Sequence, residues 1–448
     1  RLVTLEGLVD TFGKANATVV HKAVTIATTP DNIGECLDLA RLQRRPAPPQ
    51  DGREVLREVR AELARAATRG FTGDHAEALK MATAARERAE RGLDWPPLWA
   101  AARALEAVSL EKTGAFKESE AASAEAYFAA ARSQAWDIAA EAAPKLVFTV
   151  GYKRAKHDEG RAWARHANVA IELAGDPDER LTAVLLSNLG SMNHSARVFA
   201  EARPQWERVL SIQERTLGPE HPQLAMTLNN LGNLEVESGR YTQARVLYER
   251  SLAIKQKLLG PDHPDVAVSL NNLAGLHNAM GNPAEARALF QRALEVYEAA
   301  RGPDHPDVAM ALDNLAAILN TGGAPETALA MHRRALAIRE RTLGPEHTDY
   351  ANSLNNLANV HRALKNYAEA RALYERSLAI QEKALGPANL EIGKLLNNLA
   401  LVHEATGAKE EARALYERAL GVFEETLGRE HPHVALSQYN LAHFHLEE

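Results

Sequence analysis

The chain has 448 residues, 46 % hydrophobic and 25 % charged, with 52 lysines and arginines against 59 acids and a formal charge of −7. A single cysteine excludes intramolecular disulfides and thiolate metal clusters. Interspersed charges of both signs argue against a basic stripe for nucleic acid, and no run of about 18 apolar residues is there to cross a bilayer.

Residues 1–45 read as a leader of short helices, roughly 1–13, 15–28 and 33–42, with Cys36 as a small half-buried apolar side chain. A Pro-rich linker is expected at 46–53, where Pro46, Pro48, Pro49 and Gly52 interrupt any helix. The chain opens at Arg1 without a signal-type stretch and stops inside a repeat at Glu448, so it reads as part of a longer protein. Degenerate helical hairpins are expected over 54–177: 54–92 turning near Gly73, 97–133 turning at Gly114, and 137–174.

From 178 to 448 the order is strict. The cluster Leu217-Gly218-Pro219-Glu220-His221-Pro222 returns at Leu259, Arg301, Leu343, Leu385 and Leu427, 42 residues apart each time. A fixed period in this range marks stacked supersecondary units rather than one globular core. In each unit a first helix carries a stripe such as Leu228, Leu231 and Gly232, which recurs as Leu270, Leu273 and Ala274. A turn is expected around Gly239, Gly281, Gly322, Lys365 and Gly407. The second helix carries Ala244, Ala286, Ala328, Ala370 and Ala412, each followed four residues later by Tyr248, Phe290, His332, Tyr374 or Tyr416. Small against large at this spacing lets a neighbouring helix approach while the ring fills the gap. Gly260 is expected to stop its helix in the αL conformation, and Pro264 to open the next one. No hairpin buries its apolar face alone, so neighbours must stack. The expected fold is all-α: a right-handed α-solenoid of about nine stacked hairpins and a final single helix.

The pattern Leu-x-x-Leu-Gly/Ala, then Gly, then Ala-x-x-x-Tyr resembles the tetratricopeptide repeat. The 42-residue form, with Leu270-Asn271-Asn272-Leu273-Ala274, Tyr248-Glu249-Arg250-Ser251-Leu252-Ala253-Ile254 and Leu259-Gly260-Pro261-Asp262-His263-Pro264, is similar to kinesin light chain repeats. His332, Thr348 and Ala388-Asn389-Leu390 depart from the pattern, which bears on local loop geometry. The leader, with Val19-Val20-His21-Lys22-Ala23-Val24, resembles the stretch ahead of the repeats in multidomain Ser/Thr protein kinases of myxobacteria.

Catalytic readings find little support. His221, His263, His305, His347 and His431 recur once per unit, and packed helices 8–10 Å apart cannot bring them within about 2.1 Å of one metal. They read as loop residues beside helix N-termini. Asp10-Thr11-Phe12-Gly13 has one residue too many for a kinase Asp-Phe-Gly, and Gly13-Lys14 lacks the earlier glycine of a P-loop. No enzyme, cofactor or metal is expected.

The stronger candidate is a file of asparagines on the first helices. One row is Asn188, Asn230, Asn272, Asn314, Asn356, Asn398 and Asn440; beside it run Asn229, Asn271, Asp313, Asn355 and Asn397. The resemblance places first helices on a concave groove, where amide donors and acceptors can pair with an extended peptide's backbone. Asn233, Asn278, Asn320, Asn352, Asn359, Arg362 and Lys394 join it if the helix phase is right. A competing reading makes the Asn188 row a bridge between adjacent units. Glu249, Arg250, Glu375 and Arg376 read as solvated second-helix charges with i, i+4 partners.

The expected function is a protein–protein interaction scaffold, cytoplasmic, holding a partner segment in the groove. Two alternatives remain. One is the sensor or substrate-recruiting region of a bacterial Ser/Thr kinase. The other is a structural protein that self-assembles at its C-terminal end around Leu441 and Phe444.

Overall fold

The computed structural model describes residues 47–49, 51–429 and 432–447, with side chains of the last helix described from Val434 to Ala442. The expected leader helices, Cys36 and His431 lie outside the described residues. Among those described are 19 α-helices, one π-helical turn and no strand. The helices pair consecutively into hairpins, and the chain separates into two units, residues 1–254 and 255–448.

In the first unit the helices are α1 (Arg53–Thr72), α2 (His75–Gly92), α3 (Pro96–Lys112), α4 (Phe116–Arg132) and α5 (Trp136–Leu146). After the π-helical turn Val147–Lys153 come α6 (His157–Ala174), α7 (Arg180–Ser195), α8 (Phe199–Leu217) and α9 (Pro222–Glu237); α10 (Tyr241–Leu259) contains the unit boundary. The second unit continues with α11 (Pro264–Ala279), α12 (Pro283–Arg301), α13 (Pro306–Thr321), α14 (Pro325–Leu343) and α15 (Thr348–Ala363). It closes with α16 (Tyr367–Leu385), α17 (Leu390–Ala405), α18 (Lys409–Leu427) and α19 (Pro432–Glu447).

Packing inside a hairpin follows the small-against-large pattern. Ala202, Ala244, Ala286, Ala328, Ala370 and Ala412 are each fully buried, and the large residue one turn on is buried beside them. In the two earliest regular copies the ring presses on glycine: a Cβ on Gly232 would stand 2.4 Å from the Tyr248 ring, and one on Gly190 would stand 2.6 Å from Trp206. Burying such rings supplies about 25 cal/mol per Å² of apolar surface removed from water.

The helix ends reveal chemistry that spacing alone did not. His221, His263, His305 and His347 are N-caps: Nδ1 accepts the backbone N–H two residues on, at 3.0–3.3 Å. The expected loop histidine is therefore a side-chain acceptor for a helix donor that has no intrahelical partner. At the irregular segment, Asn389 takes over the role and accepts from the Glu391 amide at 3.0 Å. The loop chemistry is kept although the residue differs. At the other end, Gly260 has the positive φ of 85° that its stop requires, while Gly344 pairs φ 86° with ψ 163°, outside αL in a region that only glycine enters at low cost. In the intra-hairpin turns, Gly323 rather than Gly322 takes the positive φ. Lys365 adopts φ 62°, positive like that of Arg197 in the first regular copy, where Gly239, Gly281, Gly323 and Gly407 stand in the other copies.

On the second helices Glu249 and Glu375 keep the expected i, i+4 pairing, whereas Arg250 and Arg376 do not. Arg250 reaches Glu214 of the preceding hairpin at 2.6 Å, and Arg376 lies 5.6 Å from the Tyr350 ring centroid. The i, i+4 pairs on these helices are instead Arg245–Glu249 and Arg371–Glu375. Equivalent staples recur as Arg334–Glu298 and Arg418–Glu382. Being exposed, each contributes at most about 1 kcal/mol.

Within α5, Pro144 removes a backbone donor, and the helix continues as a π turn. Here Gly151 and Gly160 make a close crossing: a Cβ on Gly151 would stand 2.4 Å from the Met192 sulfur. Burial pushes the Lys145 ammonium at this bend below its ordinary value, against the pull of Glu141 and Glu111.

Candidate functional site

The two asparagine rows sit half-buried on successive first helices, and they are bonded to each other. Asn314 Nδ2 donates to Asn271 Oδ1 at 2.9 Å, Asn398 to Asn355 at 3.3 Å, and Asn440 to Asn397 at 2.9 Å. Each of these rungs ties one first helix to the next. Asn188 reaches back in the same sense, donating to the Pro144 carbonyl at 2.8 Å. Asn229, Asn230, Asn272 and Asn356 occupy the same half-buried positions on α9, α11 and α15. Sequence reasoning weighed bridging against ligand-facing row by row, whereas the geometry couples the rows in pairs.

A net amide inventory follows. An asparagine offers two donor hydrogens and two acceptor lone pairs. A rung consumes one hydrogen of its donor member and one lone pair of its acceptor member, so capacity for further hydrogen bonds is left on both.

Asp313 leaves the row. It is 5 % exposed and turns inward, where His332 Nδ1 lies 2.6 Å from Oδ1 while Arg339 and Ser353 hold Oδ2. His332 stands where five other units have a tyrosine, phenylalanine or tryptophan, so two departures from the repeat meet and satisfy each other. The cluster is not a Ser–His–Asp relay, because Ser353 and His332 both face the carboxylate and the hydroxyl has no ring nitrogen to take its proton.

Other expected groove residues serve the hairpins. Asn233 Oδ1 accepts from the Tyr248 phenol at 2.5 Å, and Asn359 Oδ1 from Tyr374 at 2.6 Å. Asn352 Oδ1 accepts from Gln381 at 2.8 Å, and Lys394 Nζ donates to Glu391 at 2.7 Å. Arg362 lies half-buried at the end of α15, and Tyr416 bonds Glu404 at 2.6 Å. Asn320 is half-buried, whereas Asn278 is exposed. Burial pushes the phenols of Tyr248, Tyr374 and Tyr416 above the ordinary value.

Two exposed apolar residues that sequence reasoning passed over stand beside asparagine pairs, one in each unit. Met226 on α9 is 62 % exposed, and Val268 on α11 is 40 % exposed. Each lies three residues before its asparagine pair, on the same helix face. The visible clue was apolar residues at positions the core stripe does not use.

At the end of the chain, Leu441 is half-buried against Ala400 and Tyr416, while Leu436 and Tyr439 are exposed. The Phe444 side chain lies outside those described. Among the described residues no group of three or more His, Cys, Asp and Glu is placed to hold a metal ion, and no helix is long and apolar enough to cross a membrane.

Comparison with known proteins places these features. The tetratricopeptide repeat model matches six overlapping segments, 181–257, 226–299, 265–341, 323–383, 349–425 and 391–447. No curated protein matches the chain. Among solved structures, the chain is similar to the apo form of RapI, at 13 % identity and a TM-score of 0.60, over 82 % of this chain and 98 % of that one. This similarity concerns the fold. BtubC (BKLC) from P. vanneervenii aligns at 23 % identity over 54 % of this chain and 93 % of that one, with a TM-score of 0.42. A Podosopora anserina kinesin light chain protein of nearly identical TPR-like repeats aligns at 27 % identity over 46 % and 99 %, with a TM-score of 0.39.

Proposed function

The chain belongs to the tetratricopeptide repeat family, and from that premise we propose that its first-helix face holds an extended segment of a protein partner through the asparagine rows. Repeats of this family serve in general as protein–protein interaction scaffolds rather than as catalysts. The observation that carries the finer reading is the side-chain bonding of Asn271–Asn314, Asn355–Asn398 and Asn397–Asn440. Amides held in one orientation on rigid helices are pre-organised, so a ligand pays less ordering entropy when it binds them.

The contribution per contact is modest. A side-chain-to-backbone hydrogen bond nets about 0.5–1.5 kcal/mol, so affinity accumulates over several rungs, with exposed neighbours such as Val268 selecting side chains. Panning a displayed library of linear peptides tests the reading. Peptides recovered on the intact protein should lose binding to N271A/N355A/N397A while the variant keeps its helical circular dichroism. Undiminished binding to the triple variant removes the assignment. A second reading, self-association, is favoured by the exposure of Leu436 and Tyr439 on α19. Sedimentation of Leu436→Glu beside the parent protein decides it, since a parent that is monomeric at high concentration leaves nothing to disrupt.

A further inference from the structure

We propose that Phe116, Phe148 and Tyr152, in the first unit, form a surface cage for a quaternary ammonium group, carried by a protein partner as a trimethylated lysine. The asparagine reading uses none of these residues, so the two are tested separately.

A cation is already in place. The Lys153 ammonium lies 5.1 Å from the Tyr152 ring centroid, 5.4 Å from that of Phe148 and 5.8 Å from that of Phe116. Among the described residues no carboxylate is paired with it, whereas its neighbours Arg154 and Lys156 pair with Glu120 and Glu159. Aromatic rings attract positive charge through the negative faces of their π systems, within about 6 Å of the centroid. The three come from two elements. Phe116 opens α4, while Phe148 and Tyr152 stand four residues apart in the π-helical turn, their centroids 5.2 Å apart and their planes tilted by 40°. All three are half-buried, so each keeps part of its surface open to water. In a chain only 5 % aromatic, three rings around one charge are no spill-over from a ring-rich core.

Lys153 fits this cage poorly. Its ammonium is compact and strongly hydrated, with three N–H donors that ring faces satisfy less well than water. The side chain accordingly stays exposed, and exposure keeps such a contact weak. A trimethylated ammonium has the same charge and no N–H to strip of water, and its methyl groups add apolar surface against the rings. It should therefore displace Lys153. With its present occupant exposed, the cage is an open face rather than a deep pocket, so a free choline-like molecule would leave much of its surface in water. A side chain tethered to a partner gains further contacts outside the cage, which suits a member of an interaction-repeat family.

Ring resonances of the full chain, labelled with ¹³C at phenylalanine and tyrosine, report occupancy. The probes are a Gly-Ala-Lys-Ala-Gly peptide with its lysine trimethylated, the unmodified peptide, an uncharged isostere with a tert-butyl group in place of the trimethylammonium, and tetramethylammonium. The trimethylated peptide should shift Phe116, Phe148 and Tyr152 together and saturably. It should bind about tenfold more tightly than the unmodified and isosteric peptides. Lys153→Ala, which removes the competing ammonium, should tighten it about threefold. Phe148→Leu, which keeps apolar bulk without the π face, should weaken it about tenfold with helical circular dichroism unchanged. An isostere as tight as the cation, binding indifferent to Phe148→Leu, or rings unmoved on both the parent and Lys153→Ala overturns the proposal. Tetramethylammonium binding as tightly as the trimethylated peptide overturns the assignment to a partner's side chain and points to free organic cations.

Discussion

Replacing Asp313 by alanine should damage the second unit out of proportion to its size. The carboxylate is almost wholly buried and is shared by the His332 ring, the Arg339 guanidinium and the Ser353 hydroxyl. Arg339 itself is 11 % exposed, so water replaces little of what it loses. Removing one partner of such a set leaves a buried cation without its counter-charge, which costs about 3–5 kcal/mol. Stacked repeats couple mainly to their nearest neighbours, so the loss should be local. Native-state hydrogen exchange reads it: amides of α13, α14 and α15 should lose protection by roughly a hundred- to a few thousand-fold, tenfold per 1.4 kcal/mol. Amides of α18 should change much less. The triple variant D313L/H332F/R339M, which replaces the carboxylate, imidazole and guanidinium with apolar residues and leaves only the Ser353 hydroxyl, should recover most of the loss, because apolar packing commonly equals a buried ion pair. A cost under about 1 kcal/mol for Asp313→Ala, or a triple variant as unstable as the single one, would refute the reasoning.

Three further outcomes are expected. His347→Ala should cost about 1 kcal/mol in urea denaturation and His347→Asn very little, because asparagine already caps α17 at Asn389; equal losses would contradict the cap. Lys365→Gly should stabilise by up to about 1 kcal/mol, since the lysine holds φ 62° where glycine is unstrained, and a lower urea midpoint would count against this. The phenols of Tyr248, Tyr374 and Tyr416 keep their protons in the folded state beyond the ordinary value near 10, while unfolded phenols ionise there. Their contribution to stability is therefore complete below about pH 10 and lost as pH rises through it; ultraviolet titration should show phenolate appearing together with unfolding. Phenolate growing on a fully helical chain would contradict it.

What the sequence made legible was whatever repeats. The 42-residue period, the leucine stripes and the alanine-aromatic pairs are local patterns copied unit by unit, so one helix phase fixes them all. Where the structure departs, the cause is a contact between residues far apart in sequence. The inward turn of Asp313 depends on Arg339 and Ser353, 26 and 40 residues away. Asn271 and Asn314 are 43 residues apart, so although a bridge through the Asn188 row could be read from the sequence, the adjacent row as its acceptor could not. The π turn after Leu146 carries the close approach of Gly151 to Gly160, a contact that no periodicity records. The histidine caps were missed because imidazole is an uncommon N-cap, although His-Pro ahead of each first helix stood in plain sight.

The most direct test of the account is whether the rung amides themselves meet a partner. Side-chain ¹⁵N–¹H resonances of Asn271, Asn355 and Asn397 should be followed while a library-selected peptide is titrated into the full chain. The account predicts that these three move saturably and together, with slowed hydrogen exchange, while the buried Ser377 to Ala351 bond inside the hairpin stays as it was. Saturable peptide binding that leaves all three resonances in place would contradict it.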